Sequence, residues 1–152
     1  MQNVEKQAPI LSKLVRSLCN VQKTDLSDST KYQTKRVLLD TLGAGICGSK
    51  KMLSHLGIKA TSEEYGAGEC LLWGSKKSLC ATGATFLSAL AISATDFDEG
   101  HRAAAGHPVG VVVPTALALG KETQETMDKV LSAIIVGYEI GTRFRLIHSA
   151  EL

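Results

Sequence analysis

Apolar residues return every three or four positions near the start of the chain. Ile10, Leu11, Leu14, Val15 and Leu18 share one face and Lys13 and Arg16 the other, which predicts an amphipathic helix over residues 4–18. Ser27, Asp28, Ser29 and Thr30 are cap candidates for a second helix whose apolar positions are Tyr32, Leu38, Leu39, Leu42 and Ile46. Gly43, Gly45 and Gly48 fall in its later part; each costs about 1 kcal/mol relative to Ala in a helix, so their presence implies close approach of another helix. The pattern weakens over residues 53–77, where Glu69-Cys70-Leu71-Leu72-Trp73 reads as one short strand or an extended loop. Residues 78–95 carry no charge and read as a helix buried on all sides, capped by Ser78 and ending where Asp96 begins.

Further on, the β-branched run Val111-Val112-Val113 reads as extended, with Pro114 opening a short helix that Gly120 stops. Thr123 is the expected cap of a last helix, with Glu125 in its first turn and Met127, Leu131, Ile134 and Tyr138 as its apolar stripe. Glu139 and Arg143 stand four apart there, in the favourable order for an ion pair. The sum is an all-α chain with at most one short strand, organised as a single helical domain over residues 1–152.

Composition narrows the partners. The net charge is only +2, and the basic residues are scattered, which argues against nucleic acid. The N-terminal residues include Glu5, Lys6 and Gln7 where a secretory signal needs an apolar stretch, so the cytoplasm is the expected location. The uncharged run is too rich in Thr, Ser, Gly and Ala for a membrane span. Cys19, Cys47, Cys70 and Cys80 lack metal or redox spacing and read as buried thiols.

Chemistry concentrates in Asp96-Phe97-Asp98-Glu99-Gly100-His101-Arg102-Ala103-Ala104-Ala105-Gly106-His107-Pro108-Val109-Gly110, which combines three carboxylates and two imidazoles with helix-breaking residues. Carboxylates this close repel one another, so at least one is expected to hold its proton more readily, as a general base near neutrality must. The imidazoles can donate a proton or hold a carboxylate, and Arg102 suits carboxylate geometry. Pro108 biases His107 to an extended backbone. A metal-dependent hydrolase built on His101 and His107 is a weaker reading, because the six-residue gap does not give helical ligand spacing. Gly43-Ala44-Gly45-Ile46-Cys47-Gly48 matches the dinucleotide-binding glycine pattern but follows a helical period rather than a strand, which removes the context that pattern requires.

Several separated pieces then fit one family. Leu38-Leu39-Asp40-Thr41-Leu42-Gly43, the small-residue helix over residues 86–94, the Asp96 loop, Gly106-His107-Pro108, and Gly137-Tyr138-Glu139-Ile140 with Arg143 resemble, in that order, the N-terminal part of the MmgE/PrpD family. Its members include 2-methylcitrate dehydratase, cis-aconitate decarboxylase and iminodisuccinate epimerase. The resemblance runs over residues 30–145. It implies an all-helical domain joined in members to a smaller lid, a site needing no metal or cofactor, and proton transfer next to a carboxylate on a small polycarboxylic acid. It also implies Asp96 and His107 as catalytic groups, with Asp98, His101 and Arg102 beside them as substrate-binding groups. Gly100 stands where some members carry a hydroxyl residue.

The resemblance also implies members about three times as long as one domain of this size, so the lid domain and the later site residues are expected to be absent from this chain. The expectation is therefore an N-terminal piece of a lyase or isomerase, a truncated site needing a complementary chain or a homo-oligomer. The competing expectation is a non-catalytic remnant or interaction module with the same helical fold.

Overall fold

The computed structural model describes residues 9–21, 26–61 and 63–149. Among them are six helices: α1 (Pro9–Val21), α2 (Asp28–Gly48), α3 (Met52–Thr61), α4 (Ala81–Ser93), α5 (Val109–Glu122) and α6 (Met127–Ser149). Two strands of two residues, β1 (Cys70–Leu71) and β2 (Ser78–Leu79), pair antiparallel with Cys70 opposite Leu79 and Leu71 opposite Ser78. A 3-10 turn, Arg102–Ala104, lies between α4 and α5. The chain is mostly α, as its pattern predicts, with a minimal hairpin in place of a single strand. No helix among the described residues is long and apolar enough to cross a membrane.

The uncharged helix α4 is central, packed by α2, α3, α5 and the hairpin, while α6 lies against α5, α2 and the 3-10 turn. Its buried residues are Ala81, Gly83, Ala84, Leu87, Ser88, Ala91 and Ile92, so small side chains let several neighbours come close at once. Phe86 stays 44% exposed, so α4 is not covered on every side. Two apolar clusters result. One joins Leu72, Leu79, Ala84 and Leu87 to Ala118, and the other joins Val109 and Val113 of α5 to Val130 and Ile134 of α6.

The glycines set the spacing of α2 and α4. A methyl group at Gly48 would overlap the carbonyl oxygen of Ala91, and one at Gly45 would overlap the ring of Trp73. Gly43, by contrast, faces open space. The buried face of α2 is accordingly Thr34, Thr41, Ala44, Gly45 and Gly48. This corrects the expected stripe: Tyr32, Leu39 and Ile46 are exposed at 66%, 72% and 48%, because a face that meets a backbone has no room for large side chains. The glycine triplet lies wholly inside α2.

One expected cap stands where it was placed, and other boundaries differ for identifiable reasons. Ser27 is the cap of α2, its Oγ accepting from the Thr30 N–H at 3.2 Å. Ser78 is in β2, and α4 begins after Cys80. The Val111 run is helical, because Val109 and Val113, four apart, become fully buried against α6, and that burial outweighs β preference. Pro114 therefore sits inside α5, without an N–H for the Gly110 carbonyl.

Gly120 does not stop α5; it receives Val130, whose Cγ2 would lie 2.5 Å from a methyl group there. Thr123 ends α5 instead of capping α6, and Thr126 Oγ1 accepts from the Lys129 N–H at 3.4 Å at the start of α6. Met127 is exposed, whereas Leu131 and Ile134 are buried as expected. Glu139 and Arg143 do pair.

In α1, Leu18 is half-buried and Val15 exposed; residues 4–8 and the side chains of Ile10, Leu11 and Leu14 lie outside the described residues. Of the four cysteines only Cys70 is buried, its thiol donating to the Ala118 carbonyl at 3.3 Å, and burial pushes its pKa up; Cys19 and Cys47 are exposed and Cys80 is half-buried.

Two glycine substitutions separate packing from propensity. Gly48→Ala should lower stability in urea titrations by about 2–3 kcal/mol through backbone overlap. Gly43→Ala should raise it by about 0.5–1 kcal/mol through helix propensity alone.

Candidate acid–base site

The loop between α4 and α5 is shaped by two backbone reversals. Asp96 takes a left-handed φ of 54°, which turns the chain away from α4, and Ala105 takes φ 48° at the end of the 3-10 turn. Aspartate tolerates that region better than most residues; alanine there is strained. Between them the His101 N–H donates to the Gly106 carbonyl at 2.9 Å, closing residues 101–106 into a small loop. Pro108 then sits at the cap of α5 and its fixed φ starts the helix.

This path brings three of the expected residues together. His107 Nε2 lies 3.8 Å from Asp96 Oδ1, and His107 Nδ1 lies 3.5 Å from Asp98 Oδ2 and 3.2 Å from the Asp98 backbone carbonyl. The Asp96 side chain is 88% exposed and the imidazole 44%, whereas the Asp98 side chain is 2% exposed. Asp98 Oδ2 has no hydrogen-bond partner among the described residues. Gly110 makes room for it, since a methyl group there would stand 3.1 Å from that oxygen. Gly100 backs onto the same imidazole, where a methyl group would meet Cε1 at 3.6 Å, an ordinary contact.

The third carboxylate turns elsewhere. Glu99 Oε1 accepts from the Tyr138 hydroxyl at 2.8 Å, and Glu99 Oε2 is buried without a partner among the described residues. The three carboxylates that crowd the sequence thus face solvent, the base of His107 and α6 respectively. Burial, then the Glu99 bond and charge, push the Tyr138 pKa up to about 12. Glu99 and Tyr138 also line a cavity of about 450 Å³ between α2 and α6.

His101 and Arg102 are placed apart from this trio. His101 Nδ1 accepts from the Ala104 N–H at 3.0 Å, so His101 caps the 3-10 turn, and its ring meets Tyr138 edge-on at 5.8 Å. Arg102 is exposed and has no ion-pair partner among the described residues. Asp96, Asp98 and His107 each offer an atom that a metal ion accepts, all within 4.8 Å of one another, so such chemistry would group His107 with the aspartates and not with His101.

The Glu99–Tyr138 bond was beyond sequence reasoning, which placed Tyr138 only in an apolar stripe. The available signal was the hydroxyl itself, which needs a partner when a tyrosine joins a core.

Comparison with known proteins bears on this loop as part of the whole. The family model for the MmgE/PrpD N-terminal domain matches residues 12–151. The chain belongs to the MmgE/PrpD family. Human cis-aconitate decarboxylase is 31% identical over 129 residues, covering 83% of this chain and 27% of that protein. The mouse cis-aconitate decarboxylase is 30% identical over 130 residues, with 83% and 26% covered. The cis-aconitate decarboxylase-like protein oryM of Aspergillus oryzae is 27% identical over 137 residues, with 83% and 28% covered. This MmgE/PrpD chain thus spans about a quarter of the length of the curated relatives it matches. No solved structure matches it at comparable significance.

The raised Tyr138 pKa gives a signed expectation. A proton held more tightly in the folded state than in the unfolded chain stabilises below pH 10, and that contribution is lost as pH rises toward 12. Tyrosinate absorbance should show one tyrosine titrating near pH 12 in the wild type and none there in Tyr138→Phe.

Proposed function

We propose that the chain carries the acid–base part of an active site for a small polycarboxylic acid, in a lyase of the cis-aconitate decarboxylase kind. The observation that carries this reading is the placement of His107 Nε2 and Asp96 Oδ1, which are 3.8 Å apart and both accessible. That separation is too long for a hydrogen bond between them, so both groups remain open to a third partner. A carbon next to a substrate carboxylate, set against this pair, can give a proton to whichever group is unprotonated or take one from whichever is protonated. Imidazole and carboxylate are groups suited to proton transfer of this kind.

Epimerisation takes a proton from that carbon and returns one, dehydration takes a proton as hydroxide leaves with another, and decarboxylation releases carbon dioxide and delivers a proton to the carbon; the activity named for the relatives favours decarboxylation. The aspartates repel a polyanion, so the substrate's own carboxylates need cations. Arg102, exposed on the 3-10 turn, supplies one. His101 is the second group on this turn for substrate contact.

A second reading, an interaction module without turnover, draws on the exposed apolar residues Tyr32, Leu39 and Ile46 of α2 and Met52, Leu53 and Leu56 of α3. Calorimetry on the protein at its full encoded length separates the two. Binding of cis-aconitate that weakens about tenfold or more in Asp96→Asn and in His107→Ala supports the site. No heat with cis-aconitate or citrate sinks it in favour of the module.

A further inference from the structure

We propose that Asp98 is a positioning residue for His107, locking the imidazole in the tautomer that carries its proton on Nδ1 and leaves Nε2 bare beside Asp96. A backbone carbonyl only accepts hydrogen bonds, so the 3.2 Å contact between His107 Nδ1 and the Asp98 carbonyl oxygen is a hydrogen bond only when the proton is on Nδ1, which favours that tautomer. The carboxylate of the same residue reinforces that choice. Its Oδ2 lies 3.5 Å from the same nitrogen, its side chain is 2% exposed, and His107 is its one ion-pair partner among the described residues. A buried carboxylate oxygen with no hydrogen-bond donor among the described residues favours whatever arrangement turns a proton toward it. The first turn of α5 lies beside it at Gly110, where the helix dipole favours negative charge.

His101 supplies the contrast. A backbone N–H only donates, so the 3.0 Å bond from Ala104 N to His101 Nδ1 leaves that nitrogen bare and puts the proton of a neutral His101 on Nε2. Two imidazoles six residues apart are thus held in opposite tautomers. Asp98 acts from underneath His107, without meeting substrate itself. The use made of the bare Nε2 rests on the acid–base reading above; the tautomer does not.

The test is nitrogen-15 NMR of the imidazoles in the protein at its full encoded length, at a pH where both rings are neutral. The expected wild-type spectrum shows His107 protonated on Nδ1 and His101 on Nε2. In Asp98→Asn, which keeps the backbone carbonyl but replaces the carboxylate with an amide able to donate to Nδ1, His107 should shift toward a mixture of tautomers while His101 stays unchanged, which also certifies that the loop is folded. Gly110→Ala keeps the charge but crowds Oδ2, and should move the His107 signals in the same direction.

A His107 protonated on Nε2 in the wild type, or unmoved in both variants, overturns the proposal. With substrate, Asp98→Asn should lower kcat about tenfold or more with KM little changed, as expected when a base is held in the wrong tautomer. Wild type without turnover but with the expected tautomers would refute the acid–base reading and leave the positioning role standing.

Discussion

The structure depends on the backbone-to-backbone approach of α2 and α4. Gly48 lies so close to the Ala91 carbonyl that no side chain fits between them, and Ser54 Oγ donates to the Gly48 carbonyl at 2.8 Å from the start of α3. This contact fixes the end of α4, from which the acid–base loop departs. Ile92, with no exposed surface, carries the constraint onward. A methyl group at Gly45 would stand 3.3 Å from it, and one at Gly110 3.8 Å from it, so one side chain sets both the α2 face and the first turn of α5. Gly110 in turn leaves the space in which Asp98 lies beneath His107. A line of contacts therefore runs from the glycines of α2 to the imidazole.

The loop is costly locally. Ala105 in a left-handed conformation and a proline inside α5 both work against the chain's preferences, by about 1–3 kcal/mol for the alanine and about 3 kcal/mol for the proline. Full burial of Val109 and Val113 opposes these costs, at roughly 1.5–3 kcal/mol for each side chain. The result is an imidazole with its two nitrogens in different surroundings, one facing a buried carboxylate and one facing an exposed one.

The helical class and the location of the candidate chemistry were legible in the sequence, because an uncharged helix ending in a carboxylate-rich, glycine-punctuated loop is a local pattern. The close packing at Gly45 and Gly48 was legible too. The direction of the α2 face was not, since large apolar residues on the outside and small ones inside invert the usual periodicity argument. The helical Val111 run depended on burial against α6, which lies later in the chain. The pairing of Glu99 with Tyr138 spans 39 residues and leaves no trace in spacing. Which carboxylate lies under His107 and which beside it was equally hidden, because the left-handed turn at Asp96 decides it.

The central claim is that Asp96 and His107 exchange protons with a carbon next to a carboxylate. The most direct measurement follows solvent deuterium into carbon-bound positions of cis-aconitate and its product by NMR, using the protein at its full encoded length. The account predicts incorporation in the wild type that falls about a hundredfold or more in Asp96→Asn and in His107→Gln. Incorporation at the wild-type rate in either variant would contradict it.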